Sequence, residues 1–252
     1  MSQQCLEFVT VDVFTRQTFG GNPLAVFFAA EQLSDKQMQQ IAREMNYSET
    51  TFVLPPVDSA NTASVRIFTP MNELPFAGHP NVGTGYVLAN HPSAVPNTGT
   101  VTTSTNPETG QCQASMCFEE KAGLVQVLVD MSSDDKAQQA RIAAPQALQQ
   151  RPGHSIEAMA RALNLEPDQI LGAAEGSTIV SVGIEFPVVE VGDLHALRQS
   201  SANVEQFKRL SLNPGITGEP GADDAFLVYV YCRNGSDEVS ARMFDPLHGI
   251  PE

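Results

Sequence analysis

Tryptophan is missing from this 252-residue chain, and cysteine is sparse at four residues. Cys5, Cys112, Cys117 and Cys232 form no C-x-x-C pair and have no matching His/Cys set. Neither a zinc site nor a disulfide framework is expected, and the cysteines read as reduced thiols within strands. Basic residues are few: 14 Lys and Arg face 29 Asp and Glu, for a net charge of -15. Such a surface repels phosphate backbones and anionic membranes, so nucleic-acid and membrane partners are not expected. A small anionic substrate stays compatible with it, because a local pocket can be positive. Long apolar runs are lacking too. The start, "MSQQCLEFVTVDVF", is neither basic nor long enough in apolar residues for a signal peptide or a transmembrane helix. A cytoplasmic location is the resulting expectation. No G-x-G-x-x-G or Walker pattern occurs, so the usual nucleotide signatures are absent. The histidines outside residue 79 (His91, His154, His195, His248) are scattered without metal spacing.

What is present is a globular composition. Hydrophobic residues make up 42% and charged residues 17%, which suits packed cores, and the length suits two domains. "LEFVTVDVF" (6–14) alternates as a strand, "FGGNP" (19–23) is a turn in which Gly20 and Gly21 can take positive φ, and "LAVFF" (24–28) returns. Ser34 and Gln37 fit a capping box ahead of a helix over 35–46. "SETTFVL" and "ASVRIFT" (63–69) are strands. "GHPNVGTGYVLAN" (78–90) opens with Pro80 in its first turn and is apolar on nearly all sides. It reads as a buried helix whose Gly83 and Gly85 let strands approach. Further strands are expected near 99–104, 112–118, 123–131 and 139–143. "APQALQQRPGH" (144–154) reads as the boundary between domains 1–145 and 146–252. Beyond it come a helix at 155–163, strands at 177–183, 186–191, 225–232 and 237–244, and a loop at 213–224. This mixture lacks regular βαβ alternation, so an α+β fold is expected over a doubly wound one. "RIFTP" (66–70) and "RMFDP" (242–246) form a weak internal repeat.

Taken together, "VDVFT…FGGNPLAV", "YSETTFV", "RIFTP…ELPFAGHPNVGTGYVL" and "RMFDPLHGIPE" resemble the phenazine-biosynthesis isomerase family, the PhzF-like proteins. The resemblance runs from about residue 8 to the end and is most specific in the first half. It implies a diaminopimelate epimerase-like fold: two pseudo-symmetric lobes, each a curved, mainly antiparallel sheet around a central helix. It implies a site between the lobes, no metal or organic cofactor, and a homodimer. The family's second motif continues past "GIPE" as Asp-Pro-Ala-Thr-Gly-Ser. With Glu252 the last residue, the second lobe is expected to lack that motif and its central helix.

The resemblance assigns Glu49, in "SETTF", as the general acid/base that moves a proton between carbon atoms of a small carboxylated substrate. By composition alone a glutamate at a strand start is an exposed one. Buried beside Phe52 and Phe76 and oriented by Ser48 and Thr50, it would suit proton transfer. Gly78, His79 and Asn81 at the start of the buried helix are the expected substrate-binding residues. Helix-start amides favour an anion there, and Gly78 permits close approach. Glu73 is expected to bond the turn or the backbone near His79, and Arg66 and Arg242 to pair with acids of the scaffold. Two other functions stand beside this one. A catalytically impaired or non-enzymatic relative is consistent with the missing motif. An amino-acid epimerase or racemase would need a thiol after "PFA", where Gly78-His79 stands.

Overall fold

The computed structural model describes residues 5–105, 110–171, 176–182, 185–211, 226–236, 238–248 and 250. The chain divides into two compact units, residues 1–146 and 147–252.

The first unit contains β1 (Phe8–Val13), β2 (Asn22–Phe27), α1 (Asp35–Met45), β3 (Glu49–Leu54), β4 (Ala63–Phe68), β5 (Glu73–Leu74), α2 (Gly78–Asn90), β6 (Thr102–Thr105), β7 (Cys112–Glu120), β8 (Gly123–Met131) and β9 (Ala137–Ile142). Its sheet runs β1-β2-β3-β4-β7-β8-β9, with β5 on β4 and β6 on β7. Pairings are antiparallel except β2 with β3 and β4 with β7. Helix α2 touches β1, β2 and β3 as well as β8 and β9, strands from opposite ends of that order. A flat sheet could not bring both ends to one helix, so the sheet curls around α2. This is the α+β arrangement of a curved, mainly antiparallel sheet about a central helix.

The helix can sit there because its surface is stripped of bulk. A Cβ on Gly83 would lie 2.6 Å from Leu24 Cδ2 and 2.8 Å from Val13 Cγ2, and one on Gly85 would lie 2.5 Å from Val127 Cγ1. The other face of the sheet is covered by α1. Ala25, Phe27, Phe52 and Phe68 pack there with Met38 and Ala42 of that helix. Ser34 caps α1 in a complete capping box with Gln37, as its spacing predicts.

In the loop between β1 and β2 the left-handed residues are Phe14 (φ 63) and Phe19 (φ 63) rather than Gly20 and Gly21. Gly21 is needed for a different reason: a Cβ there would fall 2.3 Å from the Val13 carbonyl oxygen.

The second unit contains β10 (Gln149–Pro152), α3 (Ile156–Leu163), β11 (Ile170–Leu171), β12 (Thr178–Ser181), β13 (Glu185–Val191), α4 (Leu194–Gln199), α5 (Val204–Ser211), β14 (Val228–Arg233) and β15 (Val239–Phe244). Its sheet runs β10-β12-β13-β14-β15, with β11 on β13. Met159, Leu163, Val189, Leu197, Phe207, Val228, Val230 and Cys232 belong to one core. On the opposite face, Phe186, Val188, Tyr229, Tyr231, Arg233 and Val239 line an open groove of about 410 Å³. It carries no free charge, since the Arg233 guanidinium binds Glu190 at 2.9 Å.

The expected boundary segment 144–154 is partly a strand. Residues 149–152 form edge strand β10, which tolerates Pro152 because an edge leaves one side unpaired. Helices α4 and α5 carried no expectation; Asp193 caps α4 through Ala196 N–H at 2.8 Å. The expected loop at 213–224 lies outside the described residues.

Candidate active site

The site grows from the first residue of β3. Glu49 pairs in register with Leu24 of β2. Side chains alternate across a strand, so Glu49, Thr51 and Val53 share one face while Thr50 and Phe52 share the other. Thr51 Oγ1 meets Thr84 Oγ1 of α2 at 2.9 Å, both fully buried, so the Glu49 face is the α2 face. The expectation that Phe52 flanks Glu49 therefore fails. Three residues along a strand reverses the face, and Phe52 packs beneath α1 instead.

At the start of α2, Ala77 is the N-cap and gives no side-chain cap. Pro80 has no N–H, so Gly78 and His79 supply the amides ahead of the intrahelical ladder. A Cβ on Gly78 would meet nothing within 4 Å, so space lies open beside these amides. Asn81 is fully buried and turns inward, donating from Nδ2 to the Ala77 carbonyl at 2.9 Å.

His79 is 8% exposed, and its Nδ1 lies 3.3 Å from Glu49 Oε2, on a side chain only 12% exposed. Burial pushes the imidazole down to about 4 against a smaller opposing effect of the Pro23 backbone. The ring is neutral at pH 7, so the contact is not an ion pair. Nδ1 also lies 3.5 Å from Asn22 Nδ2. One tautomer gives Nδ1–H to Glu49; the other accepts from Asn22. In the second tautomer the Nε2–H is buried without a partner among the described residues, so the surroundings favour the proton on Nδ1.

Asn22 is the site residue that sequence reasoning missed. Its only signal was the "GGNP" turn, read there as a chain reversal. Asn22 Oδ1 accepts from Ser48 Oγ at 2.5 Å, and Ser48 also reaches the Pro23 carbonyl at 3.4 Å. Ser48 thus orients Asn22, where Glu49 was the expected target. Thr50 lies on the face away from Glu49, fully buried.

The other expected acids and bases are structural. Glu73 takes Arg66 Nε and Nη2, both at 2.7 Å, and Lys121 Nζ at 2.7 Å; it bonds side chains, not backbone near His79. These cations hold its carboxyl below the usual range despite burial. Arg66 also reaches Asp35, as a scaffold arginine should. Arg242 also serves the backbone. Its Nη1 donates to the carbonyls of Leu197, Arg198 and Ser200, closing the C-terminus of α4. Among the described residues, no three His, Cys, Asp or Glu side chains gather as a metal site. Cys112 and Cys117 lie on β7 and Cys232 on β14, not at helix starts. No helix among the described residues is long and apolar enough to cross a membrane.

The curled sheet thus brings an acid and a neutral imidazole together at an uncapped helix start. Residues 11–252 match the family described as phenazine biosynthesis-like protein, and the chain belongs to that family. It is 57% identical over 84 residues to the trans-2,3-dihydro-3-hydroxyanthranilate isomerase of Pseudomonas chlororaphis. That match takes in 33% of this chain and 30% of the relative, so the chain matches less than a third of that protein's length. It is 31% identical over 243 residues to an uncharacterised isomerase of Mesorhizobium japonicum, covering 94% of this chain and 71% of that one. The crystal structure of a PhzF-family phenazine biosynthesis protein from Bacillus anthracis superposes with a TM-score of 0.69 at 22% identity. It covers 98% of this chain and 75% of that one, a likeness of fold.

Proposed function

We propose that this protein is a cofactor-independent isomerase that moves a proton between carbon atoms of a small carboxylated substrate, with Glu49 as general acid/base. One observation carries the reading: Glu49 Oε2 stands 3.3 Å from a buried, neutral His79 at the open start of α2. The Glu49 carboxylate takes a proton from a C–H bond of the substrate. The electron pair of that bond shifts into the substrate's unsaturated system, and the carboxylic acid returns the proton to another carbon. The Gly78 and His79 amides and the helix dipole hold the substrate's anionic group. His79 lends a hydrogen bond to whichever oxygen gains charge, and its neutrality leaves the added charge to the substrate. The protein acts as a homodimer in this reading, which sedimentation of the purified chain checks.

The substrate to try first is the one named for the Pseudomonas chlororaphis relative, trans-2,3-dihydro-3-hydroxyanthranilate. Glu49→Gln should leave the circular dichroism spectrum intact and abolish both turnover and deuterium uptake from heavy water. Turnover surviving in that variant removes Glu49 from the mechanism.

A further inference from the structure

Strand β1 ends at Val13, paired with Asn22 of β2, and residues 14–21 form the loop between them. The loop is fastened by its own bonds. Thr15 Oγ1 accepts from the Gln17 N–H at 3.0 Å, Gly20 N–H donates to the Gln17 carbonyl at 3.1 Å, and Phe19 N–H donates to Asp12 Oδ2 at 2.7 Å. This ordered loop nevertheless turns its aromatic side chains outward: Phe14 is 75% exposed and Phe19 is 94% exposed. Each also holds a left-handed φ of 63°, which crowds the Cβ of a bulky L-residue. At Phe19 the Asp12 carboxylate supplies a local cause, since it holds that N–H. At Phe14 the cause lies in where the ring goes.

The Phe14 ring stands 6.4 Å from the His79 imidazole, centroid to centroid, with the planes tilted by 57°. That separation lies within the range of an aromatic contact. The His79 ring is itself buried, and its Nδ1 lies 3.3 Å from Glu49 Oε2. Phe14 therefore borders the Glu49–His79 pair while most of its own surface stays uncovered. Space is open at the helix start too, since a Cβ on Gly78 would meet no described atom within 4 Å. The charged part of an anionic ligand suits the amides there; an exposed aromatic ring suits the part that carries no charge. Covering that ring offsets both the exposure and the backbone strain once a ligand is seated.

We propose that Phe14 is a specificity-determining residue of this site: its exposed ring packs against the planar, apolar body of a carboxylate ligand whose anionic group sits at the Gly78 and His79 amides. The ligand class is a carboxylate on an unsaturated ring or conjugated chain, in preference to a short or saturated acid. That this ligand is also the substrate rests on the proposed isomerase reading; the contact itself does not.

The test measures binding by the full chain, so it stands apart from turnover. Backbone amide NMR shifts of Gly78 and His79 are followed as benzoate, cyclohexanecarboxylate or acetate is added. The wild type should bind benzoate more tightly than the saturated ring acid, and acetate most weakly. Phe14→Ala should weaken benzoate binding by roughly three- to tenfold, the size of one aromatic contact, and leave acetate binding unchanged. Phe14→Tyr, which keeps a ring, and Phe19→Ala, in the same loop, should bind benzoate as the wild type does. Phe14→Gly, relieved of the left-handed strain, should lose benzoate affinity without a lower urea midpoint. Unchanged benzoate binding in Phe14→Ala overturns the proposal and leaves the isomerase reading standing. A lower urea midpoint in Phe14→Gly marks the ring as a packing contact and overturns it as well. An altered sedimentation coefficient in that variant does the same, by assigning the ring to an interface between copies. A wild type whose Gly78 and His79 amides respond to none of the three acids removes the anion site, and this proposal with it. Turnover surviving in Glu49→Gln strikes the isomerase reading alone and leaves these affinities as they are.

Discussion

At Glu49 a carboxylate stands beside an imidazole that contributes no charge, because burial makes protonated His79 too costly. This has a consequence for stability. The folded value of His79 is depressed from 6.5 to about 4, so the unfolded chain binds the extra proton between those limits. The stability owed to neutral His79 is present above pH 6.5 and lost as pH falls toward 4, on the order of 3 kcal/mol in all. Denaturant titrations of wild type and His79→Gln should therefore show the wild type losing ground to the variant as pH falls through that window. Parallel pH profiles would mean that His79 is not buried neutral. Glu49 itself was legible as a residue from its "SETTF" setting. Its surroundings were not: Phe52, expected beside it from sequence proximity, lies on the opposite face, and the imidazole beside it is held in place with Asn22 of another strand.

At the scale of elements, α2 was legible to the residue. An apolar helix with two glycines and no polar stripe has nowhere to go but inside a sheet. The strands against it set a volume limit. Alanine at Gly85 gains about 1 kcal/mol of helix propensity, but its Cβ would fall 2.5 Å from Val127 Cγ1 on a β-branched side chain that cannot swing away. Overpacking of this kind costs about 1–3 kcal/mol, so Gly85→Ala should be destabilised on balance, and Val127→Ala in the same chain should recover part of the loss. A more stable single variant in urea denaturation would contradict the close packing. Helices α4 and α5 were missed because their apolar faces are short and lie in a stretch with no distinctive motif. Strand β10 was missed because Pro and Gln speak against a strand, and its pairing with β12 is a tertiary fact.

For the whole molecule, two compact units meet near residue 146 in sequence. The first has a helix enclosed by its sheet and a second layer under α1, which amounts to a core of its own. Residues 1–146 produced alone should therefore unfold in a single cooperative transition by circular dichroism. A broad, non-cooperative melt would show that this core is not self-sufficient.

The sequence by itself determined the local and the compositional. The capping box at Ser34, the enclosed helix at 78–90, the acidic surface and the family motifs all follow from residue type and spacing over a few positions. Only the tertiary structure decided which side chains meet. That His79 is neutral beside Glu49, that Ser48 bonds Asn22, and that Arg242 donates to the carbonyls ending α4 depend on segments far apart in sequence packing together. Burial and contact across such separations are properties of the packed chain, and no local pattern encodes them.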